Sequence, residues 1–354
     1  MKIGIFDPYL DTLGGGEKYT LSVASCLSKI NNVSVFWDHP EILSKASQRF
    51  NLDLSKVTVK RNIFSSHVSF LSRFFSARDY DLIFYLSDGS VPIVLSKLFV
   101  HFQFPVEWVK NGFGNNLKLK RAGKIICNSQ FTKKYIDNKF GLKSIVLYPP
   151  VDPFPEKNVQ KENIILTVGR YGVLPGGKSF KKHEFLIKVF KKMIDHGLKE
   201  WKLVIVTSYK EKDRKKIEEM KKSVKGYNIE IKENADWKTI IDVNKRARIY
   251  WHAAGFGENL VDHPELAEHF GITTVETMMS GAVPVVFGGG GQLEIVENEK
   301  NGFTWTTEKE LVSKTLKLIN QPEIYKKMAL SAKERAKLYT GDRFCREVNR
   351  IFNE

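Results

Sequence analysis

Cysteine is scarce in this chain. Cys26, Cys127 and Cys345 are the only three in 354 residues, and none stands at a metal-ligand spacing from another. The pattern excludes a zinc ribbon, and it predicts a reducing compartment with no disulfide frame. The dinucleotide fingerprint G-x-G-x-x-G is also missing, so the glycine run Gly14-Gly15-Gly16 has to be weighed on its own. Long apolar runs are lacking too. The best of them, Leu82 to Phe104, is interrupted by Asp88, Pro92 and Lys97, which removes it as a membrane span. Met1–Phe6 passes directly into a strand pattern, and no leader is expected.

Negative charge is in deficit. Fifty-six Lys and Arg against 40 Asp and Glu leave a formal net charge of +16, shared by both halves. Such a surplus favours anionic partners: nucleic acid, acidic headgroups or phosphorylated substrates. No RNA- or DNA-reading motif is present, and the basic residues fall mostly on helices with Glu nearby, so no nucleic acid is expected. Hydrophobic residues at 42% and aromatics at 12% describe a globular protein, and the length predicts two domains.

Along the chain, strand patterns alternate with helical ones. Lys2–Phe6 is a strand that leads through Gly14-Gly15-Gly16-Glu17 into a helix with Tyr19, Val23, Leu27 and Ile30 in one stripe. Strand, glycine loop and helix form the opening unit of a doubly wound sheet, and the loop admits a ligand close to the backbone. Further strands are expected at 33–37, 57–60, 81–86, 98–102, 124–127 and 145–148. Residues 61–78 carry Phe64, Val68, Leu71 and Phe75 at helical spacing with Arg61, Arg73 and Arg78 alongside. Such a stripe either faces a core or lies on an anionic membrane surface. His101 ends its strand at the edge where parallel sheets hold ligands, although a structural histidine fits as well. Four prolines between Pro149 and Pro155 make a stiff linker, which sets the first domain at 1–150. The alternation then restarts: strands at 164–168, 201–207, 229–232, 249–252 and 283–287, a second domain at 156–335, and a terminal helical segment at 336–354. The fold class is α/β, two Rossmann-like domains facing across a cleft.

Chemistry gathers in the second domain. Glu268 lies in a loop with Gly271, and Glu276 follows eight residues later. Thr273-x-x-Glu276 reads as a capping box, placing Thr273 at the cap and Glu276 in the first turn. A helix start offers unpaired amides to an anion, and nearby carboxylates can hold polyol hydroxyls. Arg170, after the first strand of this domain, and a lysine about ten residues on can neutralise a leaving diphosphate. Lys178 and Lys181 compete for that place; Lys181 opens the helix.

The sequence resembles the family-4 retaining glycosyltransferases of GT-B fold. The resemblance rests on Gly14-Gly15-Gly16-Glu17, Val168-Gly169-Arg170, Lys181, Glu268-His269-Phe270-Gly271-Ile272 with Glu276, and Gly291-Gln292-Leu293-Glu294-Ile295-Val296. Tyr250-Trp251-His252-Ala253 is similar to bacterial and archaeal members, and Glu268–Ile272 to the mannosyltransferases that extend lipid-linked oligosaccharides. The resemblance implies that Arg170 and Lys181 bind the donor phosphates, that Glu268 meets the donor sugar and Glu276 the ribose. Amides at Gly271, Ile272, Thr273 and Thr274 would complete the anion site, with Gly15, Gly16 and His101 contributed by the first domain. It implies a UDP- or GDP-sugar donor, a glycan or lipid-linked acceptor, no cofactor and no metal, and a final helix that crosses back to the first domain. The expected setting is cytoplasmic, peripheral on the inner face of the membrane. A transferase for a small soluble acceptor, a basic nucleic-acid-binding protein and a non-catalytic subunit of the same fold are the alternatives.

Overall fold

The computed structural model describes residues 1–109, 112–154, 159–172 and 179–354. The chain divides into two compact units, residues 1–150 with 341–354, and residues 151–340.

The first unit is built on seven parallel strands: β1 (Lys2–Phe6), β2 (Asn32–Phe36), β3 (Val57–Lys60), β4 (Leu82–Leu86), β5 (Lys97–Phe102), β6 (Lys124–Cys127) and β7 (Ile145–Val146). Their order is β3-β2-β1-β4-β5-β6-β7. The strand order reverses direction between β1 and β4, which pair with Ile3 opposite Leu82. Every residue of β4 is buried, as a parallel strand covered on both faces requires. The helix Gly15–Leu27 lays Tyr19, Leu21, Val23, Ala24 and Leu27 on one side of this sheet. The predicted helical stripe over 61–78 forms only at its end, as the helix Phe70–Ala77, capped by the Ser69 hydroxyl. Phe64 instead turns inward against Phe6, Phe36 and Tyr85. Phe70, Leu71 and Phe75 point outward, 54%, 65% and 60% exposed, so this helix does not pack its apolar face into the core of its unit.

The last helix, Gly341–Asn353, belongs to this first unit. It buries Phe344, Val348, Ile351 and Phe352 in the same core as Ile3, Val23 and Val33. Fully burying side chains of this size contributes roughly 1.5–3 kcal/mol each, which explains why so short a segment is held. A disulfide joins Cys345 on this helix to Cys26 on the helix Gly15–Leu27. This corrects the expectation of no disulfide: 319 positions separate the two cysteines in sequence, so spacing gives no sign of the pairing, yet helix packing brings their Cα atoms to 5.2 Å.

The second unit repeats the plan with six parallel strands: β8 (Glu162–Val168), β9 (Lys202–Thr207), β10 (Ile229–Glu233), β11 (Ala247–His252), β12 (Val283–Phe287) and β13 (Phe303–Trp305). The order is β10-β9-β8-β11-β12-β13, with the reversal between β8 and β11. Trp251, Trp305 and Phe190 fill its core. The linker residue Val151 donates its amide to Tyr339 at 2.7 Å, so the two places where the chain crosses between units lie side by side. No helix among the described residues is long and apolar enough to cross a membrane.

Candidate active site

In a doubly wound sheet, the C-terminal ends of the two strands flanking the reversal diverge and leave a crevice. In the second unit those strands are β8 and β11. β8 delivers Gly169 and Arg170; β11 ends at His252. The Arg170 side chain is exposed and has no partner among the described residues. Lys181 follows in the same connection, just before the helix His183–Asp195. Its aliphatic stem crosses Gly169, where an added Cβ would stand 2.8 Å from Lys181 Cγ, so only glycine leaves room for it. Lys178 lies outside the described residues.

Lys181 Nζ donates to Glu268 Oε2 at 2.5 Å, and His252 Nε2 meets the same oxygen at 2.9 Å. Burial pushes the Glu268 carboxyl upward, but the Lys181 ammonium and the His252 hydrogen bond together overcome it and hold the carboxylate well below its usual range. His252 is held neutral by its own burial, against the pull of Glu268. Because a carboxylate only accepts, the neutral ring carries its proton on Nε2, and Nδ1 is left buried without a partner among the described residues. His252 is a site residue the sequence reading did not single out. It ends β11, one of the two strands at the reversal, by the rule that had been applied to His101.

The backbone on both sides of Glu268 is clamped by the loop after β12. Gly291 donates its amide to the Glu268 carbonyl at 2.7 Å. A Cβ on Gly290 would lie 2.2 Å from that carbonyl oxygen, and one on Gly291 would lie 2.4 Å from the His269 oxygen. The helix Ile272–Met279 follows, but Thr273 is not its cap. Gly271 fills that place with φ +118°, a conformation that glycine tolerates and a side chain does not, and its missing Cβ makes room for Gln292 Nε2. The Thr273 hydroxyl pairs with Tyr250 Oη at 2.9 Å instead. Glu276 therefore stands in the second turn, half-buried, rather than in the first. Thr274 spends its amide on Gly271, whereas the amides of Ile272 and Thr273 find no partner among the described residues. Those two N–H groups, at the positive end of a helix, are open to an anion. Gln292 underpins the turn, accepting from the Thr274 hydroxyl at 3.0 Å.

In the first unit, Gly15 and Gly16 open the helix Gly15–Leu27, and Gly14 donates its amide to Glu17. His101 is not beside them as a ligand. Residues alternate faces along β5, and His101 points into the core, its ring stacked 4.3 Å from Tyr19 and 5.4 Å from Phe84, with Nδ1 bonded to the Ile126 carbonyl. Burial drives its pKa down to about 3. The ring lies fully buried beneath the helix that the glycine loop opens, so in this structure it presents no exposed surface. Two residues later Gln103 reaches the glycine loop and donates to the Gly16 carbonyl at 3.0 Å. A Cβ on Gly16 would meet the Gln103 amide oxygen at 2.2 Å. Among the described residues, no group of three or more His, Cys, Asp or Glu is placed to hold a metal ion.

A family model for glycosyl transferases group 1 matches residues 150–335. The chain belongs to that family. Among characterised relatives, it is 27% identical over 259 residues to the GDP-Man:Man(3)GlcNAc(2)-PP-Dol alpha-1,2-mannosyltransferase of Neurospora crassa, an alignment covering 63% of this chain and 43% of that one. The corresponding mouse enzyme is 28% identical over 52% of this chain and 38% of its own length. The chain thus spans less than half the length of these mannosyltransferases. An uncharacterised glycosyltransferase of Haemophilus influenzae aligns over 93% of both chains at 24% identity. Among solved structures, Anabaena HepE in complex with UDP and glucose superposes at a TM-score of 0.72, with 18% identity, over 100% of this chain and 99% of that one. Two parallel sheets of this order and these superpositions establish the GT-B fold.

Proposed function

We propose that the protein is a retaining family-4 glycosyltransferase that moves mannose from GDP-mannose onto a lipid-linked glycan. The observation that carries the reading is Glu268, a carboxylate held ionised against burial by Lys181 and His252, in the loop that leads into a helix start with two open amides. A carboxylate in that state accepts hydrogen bonds from sugar hydroxyls, while a neighbouring ammonium and amides accept a diphosphate. The mannosyl donor is supported by the relatives, named as GDP-Man:Man(3)GlcNAc(2)-PP-Dol alpha-1,2-mannosyltransferases.

Donor binding would draw Lys181 from Glu268 toward phosphate, where the exposed Arg170 has no partner among the described residues. The freed Glu268 oxygen would take a hydroxyl of the sugar, with His252 keeping the other interaction in register. Glu276 would meet the ribose. In the transfer step the bond between the anomeric carbon and the diphosphate oxygen breaks, and the acceptor hydroxyl bonds to that carbon from the same face. The departing diphosphate takes the acceptor's proton. Arg170, Lys181 and the amides of Ile272 and Thr273 stabilise the charge that develops on it, the part a divalent ion plays elsewhere. The surplus positive charge and the outward Phe70, Leu71 and Phe75 support a peripheral contact with an anionic membrane holding the acceptor.

A thermal-shift panel of GDP-mannose, UDP-glucose and UDP-N-acetylglucosamine without added metal tests the donor. GDP-mannose should stabilise the chain most. Stabilisation by none of the three would overturn the transferase reading, and a preference for a UDP sugar would overturn mannose. Arg170→Ala and Glu276→Ala should each abolish transfer in a radiolabelled-mannose assay while retaining the native circular dichroism spectrum.

A further inference from the structure

Between Ile249 and Glu299 the chain carries eight carboxylates and no Lys or Arg, in a protein of net charge +16. Any acid of this stretch that folding covers must be neutralised from another segment. Two of them are met by consecutive lysines. Lys181 pairs with Glu268, and Lys182 Nζ pairs with Glu258. The second pair is well covered: the Lys182 side chain is 7% exposed and that of Glu258 20%.

Both glutamates belong to the connection that leads from β11 to the helix Ile272–Met279, and its first part is an ordered loop. Phe256 drops into the core of the unit, its ring 4.5 Å from Phe185, 5.0 Å from Trp305 and 5.8 Å from Phe287. Leu260 lies against the loop after β12, where a Cβ on Gly289 would stand 3.0 Å from its Cδ1. Asn259 closes the tip, its side-chain oxygen accepting from the amides of Val261 and Asp262 at 3.2 and 3.4 Å. Glu258 precedes this tip, and Glu268 ends the return. Phe185 sits one turn beyond Lys182 on the helix His183–Asp195, so the loop is fastened twice to the helix that the two lysines open.

Lys182 holds φ +57°, a left-handed conformation that costs a residue with a Cβ and that glycine or asparagine would take more readily. What the lysine supplies at that bend is the ammonium for Glu258. The turn is also fixed on its own side. Lys182 donates its amide to the Ser179 carbonyl at 3.1 Å, and the hydroxyls of Ser179 and Tyr171 both donate to Glu184. Lys181 can serve a diphosphate only by leaving Glu268. Lys182–Glu258 then still joins the lysine turn to the loop of Glu268.

We propose that Lys182 and Glu258 are positioning residues for donor binding: their covered pair keeps the Lys181 turn and the Glu268 loop in register while Lys181 moves from carboxylate to diphosphate. This deepens the transferase reading and rests on it. The sign of one substitution separates positioning from plain electrostatics. Glu258 is an acid beside a diphosphate site, so deleting its charge would by Coulomb attraction alone tighten diphosphate binding. A positioning role requires the binding to weaken.

The full-length protein is titrated with inorganic diphosphate and with GDP by isothermal calorimetry, each variant being checked for a native circular dichroism spectrum. Glu258→Gln should weaken both ligands about fivefold. Lys182→Gly, which suits the left-handed backbone but lacks the ammonium, should weaken them as much, whereas Lys182→Arg keeps a cation and should stay within about twofold. In a Lys181→Met background the effect of Glu258→Gln should vanish, because the pair acts through Lys181. Tighter or unchanged diphosphate binding by Glu258→Gln overturns the positioning role alone, provided the wild type binds. Equal weakening by Lys182→Arg and Lys182→Gly does the same, as does a fivefold loss that persists without Lys181. Wild-type protein that binds neither diphosphate nor GDP overturns the donor reading and the positioning role together.

Discussion

Glu268 gives up water on most of its surface and keeps its charge only because Lys181 and His252 meet one of its oxygens. Removing one member of such a pair costs more than removing both, since the survivor is left buried and uncompensated. Lys181→Met should therefore destabilise the protein by about 3 kcal/mol in urea titration. Adding Glu268→Gln should restore most of that loss; a double variant less stable than the single would refute the pairing. His101 makes a second, independent case. Its folded pKa is depressed from 6.5 to about 3, so below pH 6.5 the unfolded chain takes up a proton that the folded one refuses. The wild type should lose about 1.4 kcal/mol from this group for each pH unit between those limits. His101→Phe keeps a flat ring between Tyr19 and Phe84 but cannot titrate. Its stability relative to wild type should rise steadily as urea titrations move from pH 7 to pH 4.5. A pH-independent difference would place the histidine in water. Neither arrangement was visible in the residue types alone: the strand edge pointed to His101, and the helix Gly15–Leu27 covers its ring completely.

At the scale of elements, the glycine clamp after β12 determines where Glu268 can stand. Gly291 has backbone rather than flexible side chains against its missing Cβ, with Phe270 Cα at 2.6 Å in addition to the His269 oxygen. Gly291→Ala should cost about 2–4 kcal/mol and lower donor affinity together, measured by denaturation and by GDP-mannose thermal shift. Loss of stability with unchanged donor affinity would separate the clamp from the site. The strands were readable because parallel, doubly covered strands are short apolar runs between turn residues, and β1, β3, β6 and β12 fall where the pattern places them. Helices were readable where their apolar stripe faces a core, as at Gly15–Leu27. The stripe over 61–78 misled because Phe64 and Leu71 share a helical spacing without sharing a helix. The helices Ile42–Phe50 and Phe113–Lys120 were not anticipated, having few buried side chains to mark them. The Thr-x-x-Glu pattern misplaced its cap by two residues, because a positive φ at Gly271 leaves no trace in a capping consensus.

For the molecule as a whole, the alternating strand and helix patterns carried the repeat of two sheets, while the covalent tie between distant helices was hidden from them. Cys26 and Cys345 are joined, and the 319-residue separation means that the closed loop encloses the entire second unit. Constraining an unfolded chain over so long a loop contributes about 2–5 kcal/mol. Cys345→Ser should lower the urea midpoint of the first unit accordingly, and dithiothreitol should lower that of the wild type but not of the variant. Equal responses of both proteins to the reductant would refute the bond. The pairing also removes the argument from cysteine usage for a reducing compartment.

That the helix Gly341–Asn353 completes the core of the unit begun at Met1 carries a consequence for biosynthesis. Residues 151–340 are contiguous, so the second unit can fold as it leaves the ribosome, while the first waits with an open groove until the final helix has been released. A nascent chain stalled before residue 341 should thus carry a protease-resistant second unit and a cleavable first one, the reverse of N-terminal-first order.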